Sequence, residues 1–172
     1  MGEAAGTGSA SDPWRLKTPP QTSDFTIHRE TRDGRDVLVI SVGAMAEVCL
    51  EVADRCARQG ISVTVVDPRW VKPLPAVLVE MARDYRCLVT VEDGIRTGGV
   101  GSMVAQALRD ARVTTPLRDF GIPARFLEHA KRTEVLAEIG LTAQDISREI
   151  VETVAHLDEA RDLPAARTSD RT

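Results

Sequence analysis

The amino-acid sequence predicts an α/β fold, a three-layer α/β/α sandwich around a mostly parallel sheet of about five strands with one antiparallel edge strand. Short, continuous, β-branched runs alternate along the chain with apolar residues at helical spacing. That alternation is typical of parallel strands joined by right-handed helical crossovers. The stretches before residue 25 and after residue 156 lack an apolar period. We therefore predict one domain over 25–156, with a flexible leader (1–24) and a flexible tail (157–172).

The first elements follow from the change of apolar period. FTIHRET (25–31), followed by RDGRD, predicts the antiparallel edge strand, and DVLVISVG (36–43) predicts a strand buried on both faces. ISVTVVD (61–67) predicts a second buried strand. The helix between them ends near Gly60. Its apolar stripe consists of Met45, Val48, Cys49, Val52, Ala53 and Cys56.

The second half repeats this pattern. A helix with Pro75 in its first turn precedes the strand RCLVTVED (86–93), because a proline costs little at a helix start. A helix that Ser102 can cap then leads to the strand PLRDFGI (116–122). Two further helices complete the domain. Their predicted signals are a Thr133 cap, an end at Gly140, a capping box of Thr142 with Asp145, and the core residues Ile146, Ile150 and Val154. Val39, Val63 and Val65 are also predicted to be internal.

Composition excludes several classes of partner. The formal charge is -4 with acids and bases intermixed, so no basic stripe indicates nucleic acid. No apolar run reaches the roughly 18 residues that span a bilayer, and the start does not resemble a secretory signal. We therefore expect no membrane association and a cytoplasmic location. The three cysteines read as buried, unpaired thiols without metal-ligand neighbours: Cys49, Cys56 and Cys87.

The stretch GIRTGGVGSMV (94–104) is the strongest candidate for a binding site. It does not fit a dinucleotide fingerprint, because Val104 stands where the third glycine is needed and because the fingerprint belongs to the first strand-to-helix turn of a fold, whereas this is the third. The simpler interpretation is a tight turn against the sheet. Free N–H groups at the helix start would still attract an anion. We retain a possible anion-binding turn made of Gly98, Gly99, Gly101 and Ser102.

The remaining polar residues do not form a recognisable set of catalytic side chains. Glu92 and Asp93 are neighbours in a strand, so their side chains point in opposite directions, and the pair reads as a solvated loop pair. His28 and His129 read as surface or structural residues, and His156 is expected to end the last helix. The sequence thus predicts no catalytic residue, no cofactor-binding residue and no metal ligand.

Three segments resemble the C-terminal domain of 1-deoxy-D-xylulose-5-phosphate synthase in its actinobacterial form, over about residues 36–155. These are VGAMAEVCLEVADRCARQGISVTVVDPRWVKPLP, VTVEDGIRTGGVGSMVAQALRD and RDFGIPARFLEHAKRTEVLAEIGLTAQDI. The resemblance implies a transketolase C-terminal fold. It also implies a homodimeric enzyme of three domains that condenses pyruvate with glyceraldehyde 3-phosphate in the isoprenoid pathway, using thiamine diphosphate and Mg²⁺. The family's first two domains hold the cofactor, and the third packs against them.

Only structural positions transfer from the family. Gly98, Gly99, Gly101 and Ser102 match its GGxGS turn, and Glu92 matches the acid that precedes the turn. Asp93 and Gly94 depart slightly from the usual loop. We therefore expect an assembly module, which binds no cofactor alone and forms a homodimer or joins subunits that carry the thiamine diphosphate domains. Two alternatives remain open: a free-standing domain that binds an anionic metabolite, and an inactive truncated remnant.

Overall fold

A central sheet of five strands organises the computed structural model, which describes residues 25–31 and 35–162. The strands are β1 (Phe25–Glu30), β2 (Val37–Val42), β3 (Val63–Pro68), β4 (Cys87–Ile95) and β5 (Leu117–Ile122). They lie in the order β1-β3-β2-β4-β5, in which β1 pairs antiparallel with β3 and all other pairs are parallel. The predicted mostly parallel sheet with one antiparallel edge strand is confirmed.

Helices cover both faces of this sheet. They are α1 (Ala46–Arg58), α2 (Ala76–Ala82), α3 (Val100–Asp110), α4 (Arg132–Glu138) and α5 (Ala143–Asp162). Residues of α1 and α5 share one apolar cluster with alternate strand residues such as Val39, whereas α2 and α3 share the other with residues such as Leu38. Because successive strand residues point to opposite faces, β2 supplies both layers. The three-layer sandwich is confirmed.

The core and several helix ends agree with the sequence pattern. Val39, Val63 and Val65 are buried, as are the three predicted core residues of α5. Gly140 has φ +73°, which suits its position just after α4. One half of the predicted capping box is present, since the Asp145 N–H donates to the Thr142 hydroxyl at 3.2 Å, and that hydroxyl in turn donates to the Asp145 carboxylate at 2.6 Å.

Two predicted helix starts are wrong by one or two residues. Thr133 does not cap α4, because the helix begins at Arg132 and Lys131 is its N-cap. There, the Lys131 backbone N–H donates to the Glu134 carboxylate at 3.1 Å. Pro75 lies directly before α2 as its N-cap instead of inside its first turn.

The last helix is longer than expected. It continues to Asp162, so His156 lies inside α5 and not at its end. Leu157 packs against the core and Asp158 pairs with Arg86, the residue before β4, which gives this extra turn tertiary support. The predicted leader and the tail after Asp162 lie outside the described residues. Within the described part of the chain, no helix is both long and apolar enough to cross a membrane.

The three thiols are expected to be unreactive in the folded protein. All are free and buried. Burial, with a smaller contribution from Asp67, raises the pKa of Cys49 to about 12. Burial also raises the pKa of Cys56 to about 12, and that of Cys87 to about 11 despite the opposing charge of Arg86. Because only the thiolate reacts, a chromogenic disulfide reagent at about pH 8 should modify none of them natively and all three in denaturant. Rapid native modification would contradict this packing.

Candidate functional site

The candidate site lies where the parallel strands end. The carboxyl ends of β2, β4 and β5 meet at one edge of the sheet, which is where ligands bind in open α/β folds. The glycine turn connects the end of β4 to the first residue of α3, Val100. The turn therefore places a helix N-terminus, with its free backbone N–H groups, at this edge.

Glu92 occupies that helix N-terminus from inside the protein. Its side chain is buried, with only 5% of the residue exposed. The two carboxylate oxygens accept hydrogen bonds from the backbone N–H groups of Val100 at 2.9 Å and Gly101 at 3.0 Å. A negative charge is stabilised at the positive end of a helix dipole. The reading of Glu92 as part of a solvated loop pair is therefore wrong, because its carboxylate caps α3.

The glycines allow this contact. Gly98 has φ +78°, a conformation that L-residues rarely adopt. A Cβ atom on Gly99 would lie 2.5 Å from both Glu92 carboxylate oxygens and 2.4 Å from the Ile95 carbonyl oxygen. A Cβ atom on Gly101 would lie 2.7 Å from the side chains of Asp119 and Thr90. The turn is thus shaped to bring α3 against the sheet and against Glu92.

Ser102 does not cap α3, contrary to the sequence prediction. It lies inside the helix, whose N-cap is Gly99. Its hydroxyl instead accepts a hydrogen bond from the Gly98 N–H at 3.1 Å and donates one to the Arg96 carbonyl at 3.2 Å. Ser102 therefore closes the turn on itself, and Glu92 carries out the capping.

Asp93 and Asp119, the two other acids beside the glycine turn, each form an ion pair with an arginine. Asp93 contacts Arg132 of α4 at 2.6 Å. Asp119 of β5 contacts Arg96 of the turn through two hydrogen bonds, at 2.8 and 3.0 Å. The hydrogen bonds from Arg96 hold the pKa of the Asp119 carboxyl below its usual value. All three carboxylates therefore have a partner within the chain.

These contacts determine which ligands this edge of the sheet could bind. The predicted anion-binding turn of Gly98, Gly99, Gly101 and Ser102 stays a prediction, and an incoming anion would meet the Glu92 charge at the same helix start. The diphosphate of thiamine diphosphate does not fit for that reason. Among residues 25–31 and 35–162, no group of three His, Cys, Asp or Glu side chains could hold a metal ion.

The described histidines do not pair with the acids beside the glycine turn. His28 on β1 is 3.3 Å from Asp67, and His156 is 3.4 Å from Glu159 on its own helix. His129 is exposed in the segment before α4. No described histidine contacts Glu92, Asp93 or Asp119 through a hydrogen bond that would make an acid/base pair.

The same edge carries large exposed apolar side chains. Trp70 after β3 is 65% exposed and Ile95 at the end of β4 is 58% exposed. Phe126, in the segment after β5, is fully exposed at 105%. Beside Phe126 lies an open depression of about 350 Å³, lined also by Ile95, Ile122, Pro123, Ala124 and Arg125. The apolar surface around Ile95 and Phe126 is typical of sites that contact another protein surface.

The importance of Glu92 was missed, although the sequence contains a signal for it. Period-two alternation places Leu88, Thr90 and Glu92 on one face of β4. Leu88 faces α2 and α3, so the same alternation directs Glu92 at the start of α3. A carboxylate that ends a buried strand on the helix side is therefore a capping candidate when a glycine turn follows it.

Comparison with known proteins identifies the domain type. The family described as "Transketolase, C-terminal domain" matches residues 28–146. That range begins in β1 and extends into the first turn of α5, so it includes the whole sheet except the first three residues of β1.

Curated relatives carry the name that the sequence motifs indicate. "1-deoxy-D-xylulose-5-phosphate synthase 2" from Streptomyces coelicolor is 63% identical over 131 residues, which cover 76% of this chain and 20% of the relative. "1-deoxy-D-xylulose-5-phosphate synthase" from Frankia casuarinae is 62% identical over 121 residues, which cover 70% of this chain and 18% of the relative. The resemblance is confirmed, and the chain spans about a fifth of the length of these relatives.

Solved structures agree with this fold. A protein described as "Split gene transketolase, inactive beta4 tetramer" is 30% identical with a TM-score of 0.67, covering 76% of this chain and 42% of that one. A transketolase from Pichia stipitis has a TM-score of 0.57 at 17% identity, covering 78% of this chain and 18% of that one. The second similarity shows the fold alone.

Proposed function

Because the chain belongs to the transketolase C-terminal domain family, we propose that it is the third domain of a 1-deoxy-D-xylulose-5-phosphate synthase and serves assembly instead of catalysis. The reaction of that synthase joins pyruvate to glyceraldehyde 3-phosphate with loss of carbon dioxide, in the cytoplasm, as a transferase step toward isoprenoids. Identity above 60% to synthases of this name supports the assignment.

One observation carries the assembly role. At the carboxyl edge, the acids have partners inside the chain while Trp70 and Ile95 are more than half exposed. A site that bound substrate would need unpaired polar groups that converge on it. An edge with compensated charges and exposed apolar side chains is suited to pack against another domain.

The partners are the domains that bind thiamine diphosphate and Mg²⁺. In this proposal they supply the cofactor, the base and the substrate contacts, whereas this chain covers one of their apolar faces and orders the surrounding loops. The similar structure described as a split-gene transketolase in an inactive beta4 tetramer offers a parallel. This parallel supports assembly of the present chain with other subunits.

Reconstitution tests the proposal. The first two domains of a Streptomyces synthase, produced without the third, should form more deoxyxylulose phosphate when this chain is added. The Trp70→Ser variant should bind these domains about tenfold less tightly, as expected for a buried aromatic anchor. Val77→Ser, at the exposed surface of α2, is the matched control. No complex and no gain in activity would remove the proposal.

A further inference from the structure

A depression between α1 and α5 lies away from the carboxyl edge of the sheet. Because α1 leads from the end of β2 to the start of β3, which run parallel, its last turn lies at the opposite end of the sheet from the glycine turn. The depression has a volume of about 410 Å³, and its lining includes Arg55, Arg58, Arg148, Val151 and Glu152. This volume lies within the range of sites that bind small molecules.

Three arginines converge on this depression from two helices. Arg55 and Arg58 are in the last turn of α1, where the helix dipole stabilises a positive charge. Arg148 lies in the second turn of α5, where the dipole gives a cation no such stabilisation. The preference of arginine for helix ends therefore explains two of these charges and does not explain the third.

The acids that accompany the arginines leave most of the guanidinium N–H groups free. Arg55 donates through Nε and one terminal nitrogen to Glu51 on its own helix, at 2.9 and 2.8 Å. Arg148 donates through one terminal nitrogen to Asp145, also on its own helix, at 3.1 Å. The Arg58 side chain has no hydrogen-bond or ion-pair partner in the described part of the chain. Since each guanidinium has five N–H donors, the depression offers many donors to an anionic ligand.

The form of the lining indicates a ligand with two separated charges. A ligand that lies across the groove meets guanidinium groups from both helices. Val151, one turn after Arg148, adds an apolar contact and packs against the core that α1 and α5 share. A short dicarboxylate has the matching form, because methylene groups join its two anionic ends and because a guanidinium binds a carboxylate through two parallel hydrogen bonds.

From these features we infer that the depression between α1 and α5 binds a small dicarboxylate. One carboxylate contacts Arg55 and Arg58, and the other contacts Arg148. Glu152 repels the ligand, so its charge lowers the affinity. Thiamine diphosphate chelated to Mg²⁺ presents one compact and largely neutralised charge, which does not match two separate groups of arginines. The inference does not rest on the proposed function, because it concerns another surface of the chain.

Calorimetric titration of the full chain with straight-chain dicarboxylates from malonate to adipate, at constant ionic strength, tests the inference. At least one member should bind saturably and about tenfold or more tightly than acetate, because acetate reaches only one group of arginines. The affinity should pass through a maximum as the chain length is varied. Saturable binding of none of them would overturn the inference. Tighter binding of inorganic phosphate than of every dicarboxylate would contradict the ligand class.

Substitutions locate the binding site. Arg58→Gln and Arg148→Gln should each lower the affinity for the preferred dicarboxylate about tenfold, whereas Glu152→Gln should raise it about threefold by removing a like charge. Arg109→Gln, an exposed arginine in the last turn of α3, is the matched control and should leave the affinity unchanged. An affinity that Arg58→Gln and Arg148→Gln do not lower would overturn the inference. Circular dichroism verifies that every variant is folded.

Discussion

Replacing Glu92 with alanine is expected to lower the free energy of unfolding by about 3 kcal/mol. The carboxylate is buried and accepts the backbone N–H groups of Val100 and Gly101. Its removal leaves two donors at the start of α3 without their partner and creates a small cavity beneath the turn. Glu92→Gln should lose about half as much, because one amide oxygen can still accept one hydrogen bond while the amide NH₂ faces a donor.

Chemical denaturation followed by circular dichroism measures this effect. The matched control is Glu51→Ala on α1, which removes an exposed glutamate paired with Arg55. It should change stability by less than about 0.5 kcal/mol. A loss at Glu92 no larger than the loss at Glu51 would show that the carboxylate does not support α3.

Gly99→Ala is expected to cost about 2–3 kcal/mol, because the new Cβ atom would overlap its surroundings. It would lie 2.4 Å from the Ile95 carbonyl oxygen, a backbone atom that can move only with β4, and 2.5 Å from the Glu92 carboxylate. The turn must open, and the hydrogen bonds from Glu92 to α3 lengthen as a result. Both substitutions therefore act on one contact.

Gly98→Ala separates steric overlap from backbone conformation. Gly98 has φ +78°, but a Cβ atom there would meet nothing within 4 Å. Its cost should be limited to about 1–2 kcal/mol for the left-handed conformation. In a Glu92→Ala background, Gly99→Ala should cost less than it does alone, because one of the two obstructing groups is gone. Equal costs in both backgrounds would mean that Glu92 and Gly99 do not interact.

The layers of the fold could be predicted because burial leaves a clear period in the sequence. The runs around Val39, Val63 and Val89 are continuous because both faces of those strands are covered. Strand order could not be read, since the runs do not indicate which strands are neighbours. The extension of α5 to Asp162 was missed because Leu157 is a single apolar contact in a polar stretch.

The site was harder to predict because its central contact joins residues eight and nine positions apart. The sequence alone indicates that Glu92 is an acidic loop residue. Only the packing of α3 against β4 shows that its carboxylate accepts hydrogen bonds from the start of that helix. Ser102 has the right residue type for a cap, but the helix begins two residues before it. The exposure of Phe126 depends on how the segment before α4 packs, and no local pattern encodes that. The glycines were read correctly as a tight turn, whereas the role of their N–H groups required the structure.

At the carboxyl edge of the sheet, the acidic side chains beside the glycine turn have partners within the chain, and large apolar side chains are exposed and open to another protein surface. The helix N-terminus that could take a phosphate is directed at Glu92, and the acids beside it pair with Arg96 and Arg132. The exposed Trp70, Ile95 and Phe126 side chains lie at the same edge. In the proposed function, this domain acts through the contacts that it makes with other chains or domains.

Calorimetric titration of the chain alone with thiamine diphosphate and Mg²⁺ is the most direct test of the proposal that this domain serves assembly and does not bind the cofactor. We predict no binding by the isolated chain, and saturable binding once the domains that carry the cofactor site are added. Saturable uptake of the cofactor by the isolated chain would contradict the assignment of its role to assembly.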